Sequence, residues 1–126
     1  PNYRVADGIE VFLGIVSAAS LREQYPKGSK ESSMHGGIPT GKGYYHLNVS
    51  LFDAQTRAAI TDAKVEASAR EPVSGGDTKS LELVMLNNVP SYGNYFRMPG
   101  TNPYTITVKI TRPGKCPVEV KFEHKH

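Results

Sequence analysis

The chain has 126 residues, 38% hydrophobic and 21% charged, as expected of one globular domain with a single core. Its 15 basic and 12 acidic residues give a formal charge of +3, and the basic ones are spread singly, which argues against a nucleic-acid patch. The single cysteine, Cys116, excludes an intrachain disulfide and the cysteine-rich zinc motifs, and no apolar run reaches the roughly 20 residues of a membrane helix.

Strand signals dominate from the start. Ile9, Val11, Leu13 and Ile15 alternate with Glu10, Phe12 and Gly14, a period of two that predicts a half-buried strand. A long connection at about 19–43 follows, rich in Gly, Ser, Pro and charge, with a short helical turn expected over Ala18–Gln24. Tyr45, Leu47, Val49 and Leu51 then form an apolar face, with His46, Asn48, Ser50 and Phe52 opposite. Asp53–Arg57 reads as a turn, and Ala63–Arg70 as a further strand.

Gly75-Gly76-Asp77 reads as a break before a strand with Leu81, Leu83 and Met85 on one side. Tyr92–Met98 is aromatic and strand-like. Tyr104, Ile106, Val108 and Ile110 form the clearest strand, and Arg112-Pro113-Gly114-Lys115 turns the chain into Val118, Val120 and Phe122, with His124 continuing the apolar side. Cys116 beside that turn is expected as a small, half-buried residue. About seven strands with little helix predict an all-β fold, an immunoglobulin-like antiparallel β-sandwich in one domain spanning 1–126, with a closed barrel as the alternative.

The stretch richest in chemistry is Ser33–His46. Met34 and His35 precede a glycine-rich connection that leads to His46, and the glycines allow the donors to approach one another. Imidazole nitrogen with thioether sulfur suits copper, above all Cu(I). Met85, Met98, His124 and His126 complete the soft donors, with core packing the better reading for Met98 and a frayed terminus for the last two histidines. Nucleophile elbows and phosphate loops are absent, so an enzyme is not expected.

The runs Val84-Met85, Ser91–Gly100, Tyr104–Val108 and Arg112-Pro113-Gly114, with Gly8–Val11 and Tyr45-His46-Leu47, resemble the bacterial periplasmic iron-transport-associated family. Its members are small copper-binding β-sandwich proteins that work beside an inner-membrane iron permease. The resemblance implies that His46 and Met85 are copper ligands. This sequence departs from the family at Ser91, which stands where a histidine is expected, and at Pro113–Pro117, where a histidine-bearing loop is shortened. Either Met34 and His35 rebuild the site, or the fold persists without metal.

The expected function is therefore a periplasmic copper protein supporting metal transport or delivery, with Met34, His35, His46 and Met85 as ligands. Its expected partner is an inner-membrane metal permease or an oxidase-assembly factor, and a homodimer is a further expectation. The chain starts at Pro1 rather than Met, which a removed secretory leader or trimmed ends would both explain. The alternative is a metal-free interaction module that presents Tyr44, Tyr92 and Tyr95 and an unpaired edge strand.

Overall fold

The computed structural model describes residues 2–25, 36–86 and 88–125. Eight strands and one helix follow in chain order: β1 (Tyr3–Ala6), β2 (Ile9–Ser17), α1 (Ala18–Gln24), β3 (Tyr44–Asp53), β4 (Lys64–Glu71), β5 (Gly75–Leu86), β6 (Val89–Arg97), β7 (Tyr104–Thr111) and β8 (Val118–His124). All pairings are antiparallel, and the strands lie in the order β1-β2-β3-β6-β5-β4-β7-β8. The all-β sandwich expected from the alternation is present, and it approaches closure. The helix expected at 18–24 also forms.

β5 is the corner of the sandwich. Its first half pairs with β4 from Gly75 to Leu81, and its second half pairs with β6 from Glu82 to Leu86. Strands that change sheets in this way join the two layers. Where β5 and β6 part, side chains take over from the ladder: the Lys79 ammonium donates to the Tyr95 carbonyl at 2.6 Å, and the Asn94 amide donates to the Ser80 carbonyl at 3.1 Å. The glycine pair at 75–76 begins β5 rather than breaking the chain. A Cβ on Gly76 would stand 1.7 Å from the Ala69 carbonyl oxygen, so only glycine fits this crossing.

β1 is the strand beyond the expected seven. Asp7 and Gly8 both have positive φ (48° and 77°) and form the two-residue turn that folds Tyr3–Ala6 onto β2. β1 and β8 are the free edges, and they approach each other across the seam. There the Arg4 guanidinium lies 4.9 Å from the centre of the Phe122 ring. A charged side chain at an edge also discourages pairing with other chains.

The core fills the space between the layers. Leu47, Val49, Leu51 and Phe96 face Val65, Ile106, Val108 and Ile110, all within one buried cluster. Met98 is fully buried there, as the packing reading expects. The Tyr92 hydroxyl pins the β3–β4 connection: it donates to the Ile60 carbonyl at 3.0 Å and accepts from the Ala63 amide at 3.2 Å.

Candidate functional site

Alternation along β3 places His46 on the outer face, opposite Leu47 and Val49. The residue is nonetheless only 2% exposed. Three features bury it. Its ring lies across Gly93 of β6, so close that a Cβ there would stand 2.9 Å from Cε1. The Tyr95 ring meets it edge-on, with centroids 5.1 Å apart at 70°. Tyr95 in turn packs with Ala18 and Leu21 of α1, while Tyr25, Ile38 and Tyr44 close the edge of this cluster. Burial pushes the Tyr95 phenol up from its ordinary pKa.

The helix is held over this face by its ends. Ser17 caps it, its hydroxyl accepting the Ser20 amide at 3.1 Å. Arg22 in the last turn donates to the Pro39 carbonyl, which ties α1 to the connection leading into β3. The Met98 amide donates to the Gly43 carbonyl at 2.7 Å and fixes the start of β3. His46 therefore sits on a paired strand under a clamped cover.

Further along the same face, the Asn48 amide donates to the Ser91 hydroxyl at 3.2 Å, and Ser91 is 1% exposed. Ser91 shares the outer face with Gly93 and Tyr95, since all three are two residues apart on β6. Ser91 thus sits on His46's own side of the sheet, with its hydroxyl already engaged by Asn48.

The expected ligands do not all meet. Met34 and His35 lie outside the described residues. Met85 pairs with Pro90, whereas His46 pairs with Tyr95, five residues further along β6. An odd separation puts the two side chains on opposite faces, roughly 16 Å apart along the strand. Met85 is also 60% exposed, so it neither fills the core nor reaches His46. On this register Val84, partner of Ser91, occupies the β5 position on His46's side.

The remaining candidates are dispersed. His124 ends β8 opposite the buried Tyr104, on the core side of the other layer. His126 lies outside the described residues. Cys116 is exposed beyond the β7–β8 turn rather than half-buried, because the turn lifts it off the core. Tyr92 and Tyr95 are buried at 3% and 4%, which removes them from any contact surface. Among the described residues, no three His, Cys, Asp or Glu side chains group to hold a metal ion. A copper site on this face requires donors beyond them.

Neither a family model nor a curated protein sequence matches the chain. Solved structures do match along nearly its whole length. A copper-bound variant of FetP from uropathogenic Escherichia coli is 16% identical with a TM-score of 0.72, over 98% of this chain and 93% of that one. The copper-reconstituted P19 protein of Campylobacter jejuni is 13% identical with a TM-score of 0.74, over 98% and 92%. A DUF4426 family protein from Pseudomonas aeruginosa is 14% identical with a TM-score of 0.67, over 100% and 96%. The resemblance read from the sequence holds at the level of the fold.

Proposed function

We propose that this chain is a periplasmic copper-binding β-sandwich protein that carries the ion for a membrane metal-transport or oxidase-assembly system. His46 is its fixed ligand, and Met34 and His35 complete the site. The observation that supports this reading is the position of Ile38. It packs in the cluster that contains Tyr95, and the Tyr95 ring touches His46. His35 and Met34 precede Ile38 by three and four residues, chain lengths of at most roughly 10 and 14 Å, which supports their approach to His46 from that anchor. Two imidazoles and a thioether form a soft donor set suited to Cu(I). The copper-bound neighbours share the fold.

Met85 has no part in this reading, because its strand register turns it away. Copper is cargo here and the protein performs no catalytic step. Anaerobic titration of the copper-free protein with Cu(I), in competition with a chromophoric chelator, tests the proposal. One equivalent is expected to bind, with a loss of affinity of about tenfold or more in His46→Ala and in His35→Ala. A His35→Ala, His46→Ala double variant that folds and binds like the parent would end it.

One observation favours a second reading, a metal-free interaction module. Tyr3, Val5 and Phe12 are exposed together on the outer face of β1 and β2, at 40%, 54% and 42%. The Tyr3 and Phe12 rings touch with centroids 4.8 Å apart, and Phe52 meets Phe12 edge-on at 5.8 Å. A second copy of the chain or a membrane partner is the occupant this reading requires. Sedimentation of the copper-free protein separates the two: a copper-independent dimer disrupted by Phe12→Ser supports the second.

A further inference from the structure

His46 is buried by a part of the fold that the sandwich core does not hold. Its strand turns it to the outer face of the sheet, yet it is 2% exposed. Its partner on β2, Val16, gives no cover, being itself 44% exposed. The cover comes from the β6 side, where the Tyr95 ring meets the imidazole and α1 packs on Tyr95.

Two hydrophobic clusters divide the molecule. The larger fills the sandwich and, among the described residues, includes none of α1. The smaller consists of Ala18, Leu21 and Tyr95, with Tyr25, Ile38 and Tyr44 at its rim. Ala18 and Leu21 are the buried residues of α1, and the rest of the helix faces solvent. Its seven residues fall short of the about 12–15 that a helix needs to stand alone in water, so α1 is helical because it is docked. Undocking it breaks the small cluster and leaves the large one whole.

The attachments of α1 are local. Ser17 is both the last residue of β2 and the cap of the helix, so the helix swings from a fixed strand end. That pivot lies beside the site, since Val16 is opposite His46 and Ser17 opposite Tyr45. Toward the other end, Arg22 donates to the Pro39 carbonyl in an exposed hydrogen bond. An open hollow of about 240 Å³ separates Ala19 and Arg22 from the connection at Thr40–Tyr44, so this flank is not packed.

We propose that α1 is a gate over His46. It lifts while the sandwich stays closed, frees the Tyr95 ring to turn from the imidazole, and sets the rate at which an ion enters or leaves. The consequence for copper rests on the reading of His46 as a ligand, whereas the opening itself does not.

The opening is read on the copper-free full chain by carbethoxylation of His46 with diethyl pyrocarbonate, resolved from the other histidines by peptide mass spectrometry. Below the unfolding transition, the rate is expected to vary little with urea, because a local opening exposes little surface. Arg22→Ala is expected to raise the rate about threefold through the lost tether, with the denaturation midpoint of the sandwich nearly unmoved. Leu21→Ala is expected to raise it about tenfold or more. A rate that climbs with urea in parallel with global unfolding, or one that neither variant changes, overturns the gate. Stopped-flow transfer of Cu(I) to a chelator is the second arm, and both variants are expected to exchange the ion faster than the parent. A parent that binds no Cu(I), with His46 rates as expected, defeats the copper reading and leaves the gate standing. Exchange at the parental rate in Leu21→Ala defeats the gate and leaves the copper reading standing.

Discussion

The His46 imidazole rests on Gly93 with no room for a methyl group between them. A Cβ there would lie 2.9 Å from Cε1, 3.0 Å from Nε2 and 3.1 Å from the Leu47 carbonyl oxygen. Gly93→Ala must therefore displace a fully covered ring or open the β3–β6 ladder. The expected cost is about 1–3 kcal/mol in chemical denaturation, the range for overpacking a closed interior. The His46 ring proton resonances are expected to move as well. An unchanged midpoint with unmoved His46 signals would show that the face is looser than this contact implies.

Copper binding should distinguish the two residues that the family resemblance pairs. His46 and Met85 lie on opposite sides of the sheet, and Met85 is exposed. Met85→Leu is expected to leave Cu(I) affinity within about twofold of the parent, well below the roughly tenfold effect of losing a ligand or its support. His46→Ala is expected to lose at least that factor. Chelator competition on both variants, with circular dichroism to confirm folding, checks this. A strong effect of Met85→Leu would require a rearranged β5–β6 hairpin in the metal-bound protein.

Much of this was legible in the sequence, for a physical reason. Tyr104–Thr111 alternates cleanly because one face is buried and the other is wet, and the same rule placed His46 opposite Leu47. β1 carries no such signal, since its outer face is exposed and its inner residues, Arg4 and Ala6, are only half-buried and not a run of large apolar side chains. The cover on His46 was not legible, because it comes from α1, distant along the chain. Met85 entered as a ligand through the family resemblance, whereas the alternation already set it beside Leu81 and Leu83, and the β5–β6 register keeps that side away from His46. A slip of one residue exchanges the two faces.

Tyr92 offers a test of the core's polar fastening. Its hydroxyl serves both the Ile60 carbonyl and the Ala63 amide. Tyr92→Phe removes the partner of two backbone groups at once, for an expected loss of about 1–3 kcal/mol. Burial raises the Tyr92 pKa above its ordinary value of about 10. This contribution to stability is therefore full below about pH 10 and is lost as pH rises through the folded-state value. Denaturation of parent and variant between neutral and strongly alkaline pH should show the gap between them closing. A constant gap would remove the phenol's ionisation from the account.

Acid should act at the other sheet through Glu71. This carboxylate, only 6% exposed at the end of β4, accepts the Ser74 hydroxyl at 2.5 Å, the Ser74 amide at 2.8 Å and the Val73 amide at 3.2 Å. Asn102 adds a further donor at 3.3 Å. The Ser74 hydroxyl first, then the two amides, hold its pKa below the ordinary glutamate value. A depressed folded-state pKa means stability that is present above the unfolded value of about 4.3 and disappears as pH falls through the folded one. Glu71→Gln keeps the shape but cannot be ionised, so the variant should be less stable at neutral pH and converge with the parent in acid. Thermal midpoints across that range decide the matter. Parallel curves for the two proteins would mean that the turn at Val73-Ser74 stands without the charge.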